Sequence, residues 1–259
     1  MSEKVITGLR WPERLWIVRH GQSAGNVARE AAQQANLTRI ALPTRDMDVP
    51  LSQLGERQAQ ALGRWFAALD GGERPQSVLV SPYVRAQATA ALIRDSGGFD
   101  PDEPLCLDER LREKEFGIID GLTMHGLAEL MPEQAMLRES LGKFYHRPPG
   151  GESWCDVILR LRSLLDTIAL HYAGRRVLIV AHQVVVLCLR YILEKMDERQ
   201  VLAIDAAEQL ANCSVTQYRH DPDAGPGGGL VLERYNFVSP VAEEAEVTRA
   251  KDVRVAARG

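Results

Sequence analysis

The chain has 259 residues, of which 45% are hydrophobic and 25% charged, enough apolar material for a large folded core. Its net charge of -4 excludes a generally basic nucleic-acid-binding surface, so any cationic patch has to be local. No apolar run is long enough to span a bilayer, and the N-terminal segment lacks the long apolar core of a signal peptide. The four cysteines, Cys106, Cys155, Cys188 and Cys213, have neither CxxC nor Cys/His metal-ligand spacing and read as free thiols. The expectation is a cytoplasmic protein with no nucleic-acid or membrane partner.

Residues 1–13 read as an N-terminal arm and the folded domain as 14–238. The first strand, 15–18, delivers Arg19, His20 and Gly21 to its C-terminal end, and Gln22, Ser23 and Asn26 follow. Residues 28–49 are irregular and suit a helix followed by a loop beside a site. Ser52 caps a helix over 52–69, with Glu56 in its first turns. A second strand, 77–80, turns at Ser81-Pro82 into an alanine-rich helix over 85–94. There Ser81 is the expected N-cap, and Arg85 points back toward the strand end. A third strand, 105–107, precedes Leu111-Arg112-Glu113. Ser153 and Asp156 form a capping-box variant for a helix over 154–172, whose Val157, Leu161, Leu164, Leu165 and Ile168 keep three-and-four spacing. A fourth strand, 177–181, ends in His182, and a helix over 184–194 follows. Strands 215–218 and 231–235 flank the loop 221–229 and suit a hairpin, and 239–259 reads as a charged, mobile tail. This alternation predicts an α/β fold, a three-layer αβα sandwich with a mainly parallel central sheet.

Two strands that end in histidines matter because open α/β sheets bind ligands beyond the carboxyl ends of their strands. A neutral imidazole with one nitrogen fixed by a hydrogen bond can take a phosphoryl group on the other. The phosphoryl oxygens then need cations and fixed donors, and Arg19, Arg85, Asn26 and His182 are the candidates. An alkoxide leaves poorly without a proton, so an acid is required. Glu113 is the candidate, with Glu115 its competitor.

Six motifs stand in order along the chain: Arg19-His20-Gly21; Pro50-Leu51-Ser52 through Leu54-Gly55; Ser81-Pro82 with Arg85 and Thr89; Leu111-Arg112-Glu113 with Gly117 and Gly121; Gly151-Glu152-Ser153; and Ala181-His182. Together they resemble the histidine phosphatase superfamily, branch 1, also called phosphoglycerate mutase-like. The resemblance covers about residues 15–192. It implies that His20 becomes a phosphohistidine and that Arg19, Arg85, Asn26 and His182 hold the phosphoryl oxygens. It implies that Glu113 protonates the leaving group and then activates water, with no metal or other cofactor, on a small phosphorylated metabolite. Ser23 is expected either at the phosphate or as a helix cap. Gln183 stands where relatives usually carry glycine, so its side chain is expected to enter the pocket and alter substrate choice.

By similarity to sugar-bisphosphate phosphatases, the basic-aromatic group Lys143, Tyr145, His146 and Arg147, together with Glu152, is a candidate to read the rest of the substrate, with a solvated loop as the alternative. His125, His146, His171 and His220 lie outside the motifs, and most of them are expected to be solvated. The stretch between Glu113 and His182 is shorter than in the mutases and has no obvious lysine-plus-paired-arginine cluster for a phosphoglycerate carboxylate. A phosphomonoesterase is therefore the favoured reading. A phosphoglycerate-type mutase and a non-catalytic phospholigand-binding protein are the alternatives.

Overall fold

In the computed structural model, residues 10–249 are described, except 101 and 226. Six strands form one sheet in the order β3-β2-β4-β1-β5-β6. They are β1 (Arg14–Arg19), β2 (Ser77–Val80), β3 (Leu105–Leu107), β4 (Arg176–Ala181), β5 (Val215–Asp221) and β6 (Gly229–Phe237). β1, β4, β2 and β3 run parallel, with Leu15 opposite Val177 and Ser77 also opposite Val177. β5 runs antiparallel to β1 and pairs with β6 as the expected hairpin.

Side chains alternate between the two faces of a strand, and in β1 both faces are apolar. Leu15 and Ile17 join Leu161, Leu164 and Ile168 of α6 (Trp154–His171) and Val185 and Leu189 of α7 (Gln183–Leu193). Trp16 and Val18 join Leu62 and Phe66 of α2 (Gln53–Ala67) and Ala90 and Ile93 of α3 (Val84–Gly97) on the opposite face. The result is the three-layer αβα sandwich. Ser52 and the Ser153/Asp156 capping box start α2 and α6 as expected. Among the described residues, no helix is long and apolar enough to cross a membrane.

Two expectations are corrected. Ser81 does not cap α3, which starts two residues later than a Ser81 cap requires, with Tyr83 at the N-cap position. Residues 239–249 are not a loose tail. α9 (Ser239–Ala242) buries Val241 completely, and the buried Gln58 amide donates to the Glu246 carbonyl and to Thr248 Oγ1. A buried amide needs partners, and this segment supplies them. The rest of the tail, 250–259, and residues 1–9 of the arm lie outside the described residues. Two further helices, α4 (Met124–Leu130) and α5 (Pro132–Tyr145), lie between Glu113 and Ser153.

Backbone packing sets the loop after β1. A Cβ on Gly21 would stand 2.5 Å from the Gly55 carbonyl oxygen, and one on Gly55 would stand 2.0 Å from the Gln22 carbonyl oxygen. Only paired glycines let the start of α2 press this closely against the segment that carries His20.

Candidate active site

The carboxyl ends of β1, β2 and β4 bring His20, Ser81 and His182 together. His20 follows β1 and is 4% exposed, and His182 follows β4 and is fully buried. Their ring centroids are 5.2 Å apart. The two parallel strands are in register, with Arg19 opposite Ala181, so the following residues stand side by side.

His20 Nδ1 donates to its neighbour's carbonyl, Gly21 O, at 2.7 Å. That bond fixes the tautomer and leaves a lone pair on Nε2, which Arg85 Nε faces at 3.3 Å. Burial, and then Arg85 and Arg19, hold the His20 pKa well below the ordinary histidine value, so the ring is neutral at neutral pH. Asn212 Nδ2 donates to the His20 carbonyl at 2.9 Å and anchors the bend.

His182 shares a 2.7 Å hydrogen bond with Ser81 Oγ. That oxygen also accepts from the Tyr83 N–H at 3.3 Å, and among the described residues His182 Nε2 is the acceptor within reach of the hydroxyl proton. The ring proton is therefore assigned to Nδ1. Among the described residues Nδ1 has no hydrogen-bond partner, and it lies 4.0 Å from Glu113 Oε2. Burial and then Arg85 hold this histidine neutral as well. Tyr83 forms the floor, with its ring 5.0 Å from His182 and under the Arg85 guanidinium at 4.8 Å.

Arg85 is held by a residue that sequence reasoning did not single out. Its Nη2 donates to Asp46 Oδ2 at 3.0 Å and its Nη1 to the Asp46 carbonyl at 2.5 Å. Asp46 comes from the loop expected beside the site, in a short 3-10 turn. Its carboxylate occupies one edge of the guanidinium. Arg19, the last residue of β1, acts electrostatically on His20 and donates from Nη1 to the Leu210 carbonyl. Ser23 and Asn26 are joined as the capping box of α1 (Ala24–Gln34), and Asn26 Oδ1 also accepts from Asn212 at 3.4 Å. With that oxygen committed, the amide N–H groups are what Asn26 can offer an anion.

Glu113 sits on the segment after β3, with 14% of its side chain exposed. Burial raises its pKa above the ordinary value, the Lys114 N–H and Arg85 pull it back, and Asp46 pushes it up. Glu115, its competitor for the acid role, instead accepts from the Tyr83 hydroxyl at 3.2 Å.

The structure separates the remaining candidates from the pocket. Glu152 accepts from Arg112 and Arg160 at Oε1 and from Arg160 and the Glu115 N–H at Oε2. Arg160 also donates to the carbonyls of Arg110 and Glu113. Glu152 thus holds the acid-bearing segment in place, with its lone pairs committed. Gln183 turns to Asp205 and Gln209. Asp205 in turn accepts from Lys143 at 2.5 Å. Tyr145 is half exposed and bonds Glu198, and Arg147 donates to the Gly151 carbonyl within its own loop. His146, one of the histidines outside the motifs, is 2% exposed.

Replacing Glu152 with alanine is expected to lower folding stability by about 3 kcal/mol, because Arg160 loses its buried partner. Denaturant unfolding measures it. The ion pairs hold the Glu152 pKa below its ordinary value despite burial. Its contribution is therefore present above the unfolded carboxylate range and lost as pH falls through the folded value.

Two histidines held neutral, an arginine and a carboxyl with a raised pKa stand together at this end of the sheet. The sequence matches the histidine phosphatase superfamily (branch 1) over residues 15–226, and the chain belongs to that family. It is 33% identical over 177 residues to a bifunctional protein of Mycobacterium tuberculosis, a match covering 68% of this chain. The matched region spans only 43% of that relative's length. It is 30% identical over 229 residues to the 2,3-bisphosphoglycerate-dependent phosphoglycerate mutase 2 of Gloeobacter violaceus, covering 87% of this chain and 94% of that one. Among solved structures it is similar to mycobacterial glucosyl-3-phosphoglycerate phosphatase in complex with VO3, with 26% identity, a TM-score of 0.64, and coverage of 87% and 99% of the two chains.

Proposed function

We propose that this protein is a phosphomonoesterase that works through a phosphohistidine on His20 and needs no metal. The observation that carries the reading is the fixed His20 tautomer, with Nε2 turned to the Arg85 guanidinium. Nε2 attacks phosphorus, the P–O bond to the alcohol breaks, and Glu113 gives its proton to the departing oxygen. Arg85, Arg19, the His182 Nδ1–H and the Asn26 amide balance the charge that spreads over the phosphoryl oxygens. Water then attacks the phosphohistidine, Glu113 takes the water proton, and the P–N bond breaks to restore neutral His20. The positive charge comes from the chain's own side chains, and the substrate is a small phosphorylated metabolite.

Hydrolysis is favoured over transfer by the short stretch between Glu113 and His182, while the bisphosphoglycerate-dependent relative keeps the mutase as the second reading. Release of inorganic phosphate from phosphomonoesters without a bisphosphate primer, in the presence of chelator, is the expected result. Phosphate transfer to an acceptor only when primed would select the mutase.

Arg85→Ala is expected to weaken binding of vanadate, a mimic of the five-coordinate transition state, by about 100-fold. Titration of vanadate against turnover measures it, and unchanged affinity places Arg85 outside the pocket.

A further inference from the structure

The loop that carries His20 is gripped from two sides by buried amides. Gln58, on α2, is fully buried, and Asn212, just before β5, is 1% exposed. Gln58 Oε1 accepts from the Gln22 N–H at 2.9 Å. Asn212 Nδ2 donates to the His20 carbonyl at 2.9 Å. Thr248, which follows α9 and is partly exposed, stands between the two amides. Its Oγ1 accepts from Gln58 Nε2 at 2.9 Å and donates to Asn212 Oδ1 at 3.0 Å. Backbone bonds seat it there. The Thr248 carbonyl accepts from the Asn212 N–H at 2.9 Å, and the Glu246 carbonyl accepts from Gln58 Nε2 at 2.8 Å.

The two ends of this hydrogen-bonded chain set the direction of every bond in it. The Gln22 N–H can only donate, so Gln58 turns its oxygen there and its nitrogen to Thr248. The His20 carbonyl can only accept, so Asn212 turns its nitrogen there and its oxygen to Thr248. The link between the amides therefore has to accept on one side and donate on the other. A hydroxyl does both, and an apolar side chain does neither.

What the chain of bonds holds is the bend behind the nucleophile. The Gln22 N–H and the Gly21 carbonyl belong to one planar peptide group, so fixing the first aims the second. That carbonyl is the acceptor for His20 Nδ1 at 2.7 Å. The preceding peptide group contains the His20 carbonyl, which Asn212 takes, and the Gly21 N–H, which donates to Thr89 Oγ1 at 3.0 Å. Both peptide groups flanking Gly21 are thus tied, and Thr248 joins the two amides that tie them.

We propose that Thr248 is a positioning residue for phosphoryl transfer: its hydroxyl locks Gln58 and Asn212 in the orientations that hold the Gly21 peptides, and so keeps His20 Nε2 aimed at phosphorus. This inference rests on His20 being the nucleophile. It makes the stretch after α9 a working part of the site. No local motif marks Thr248, because its contacts to α2 and to the turn before β5 are made only in the fold.

Two substitutions in the full chain separate the hydroxyl from the shape of the side chain. Thr248→Val keeps the shape and removes the hydroxyl, and Thr248→Ser keeps the hydroxyl. Thermal melting sets an assay temperature at which both variants are folded. The first readout is the rate of phosphoenzyme formation, by rapid quench, from an alkyl phosphate and from nitrophenyl phosphate. Thr248→Val is expected to slow it about tenfold for both, because both need a correctly aimed nucleophile. Thr248→Ser should restore the rate. Binding of inorganic phosphate should be the same in all three proteins, because Arg19 and Arg85 are untouched. The second readout needs no turnover. Hydrogen exchange at the Gln22 amide, followed by NMR, should quicken in Thr248→Val and not in Thr248→Ser. Phosphoenzyme formation at the wild-type rate in Thr248→Val, an equal loss in Thr248→Ser, or unchanged exchange at Gln22 overturns the positioning role and leaves the His20 chemistry standing. No adduct on His20 in the wild-type protein overturns that chemistry, and this role of Thr248 with it.

Discussion

His20→Ala is expected to abolish turnover, by about four orders of magnitude or more, while the protein keeps its fold. The imidazole is the only group on the proposed path that bonds to phosphorus. No neighbour is poised to replace it. His182 uses Nε2 on Ser81 and is oriented to donate from Nδ1, not to attack. The loss should be equal for good and poor leaving groups, because the nucleophile is needed for both. The fold should survive because the bend is held through backbone atoms: His20 N–H donates to Ala181 O, and His20 O accepts from Asn212. Matched thermal melting and turnover assays check both halves. Substantial residual activity in a folded variant would mean that phosphorus is attacked by another group or directly by water.

Glu113→Gln separates the acid from the nucleophile. Turnover of alkyl phosphates is expected to fall by about 1,000-fold, and of nitrophenyl phosphate by about tenfold or less, because nitrophenolate leaves without a proton. Glutamine keeps the size and the bond from the Lys114 N–H, so the difference reports proton transfer. Equal losses would remove Glu113 from the acid role.

The pH profile carries the same signature. His20 must be neutral, and its pKa is held low chiefly by burial, so the acid limb should lie well below the ordinary histidine value. Glu113 must hold a proton, and burial raises its pKa, so alkyl phosphate turnover should fall as pH rises through that value. Nitrophenyl phosphate should lack the alkaline limb. A profile in which both substrates share it would assign the limb to another group.

Much of this arrangement was legible in the sequence because it is local. An apolar run followed by Arg19 and His20, or by His182, puts a side chain at a strand end whatever the rest of the chain does. β1, β2 and β4 were likewise marked by apolar runs that had to be buried on both faces. What the sequence hid was contact between distant segments. Asp46 reaches Arg85, and Asn212 reaches His20. No spacing rule links such pairs. α5 escaped notice because its apolar residues are not a core stripe: Met136 is 70% exposed and Leu141 49%. Ser81 was misassigned because the same hydroxyl suits a cap and a histidine partner, and only the strand-to-strand packing with β4 decides. Gln183 was expected in the pocket because glycine usually occupies that position. Its amide instead finds Asp205 and Gln209 on the far side.

The central claim is a covalent phosphohistidine at His20. The most direct test is to mix the protein with a radiolabelled phosphomonoester, quench within one turnover, and map the label. The account predicts an acid-labile, base-stable adduct on His20 that is absent from His20→Ala and decays to inorganic phosphate in water. Turnover without an adduct, or a label on any other residue, would contradict it.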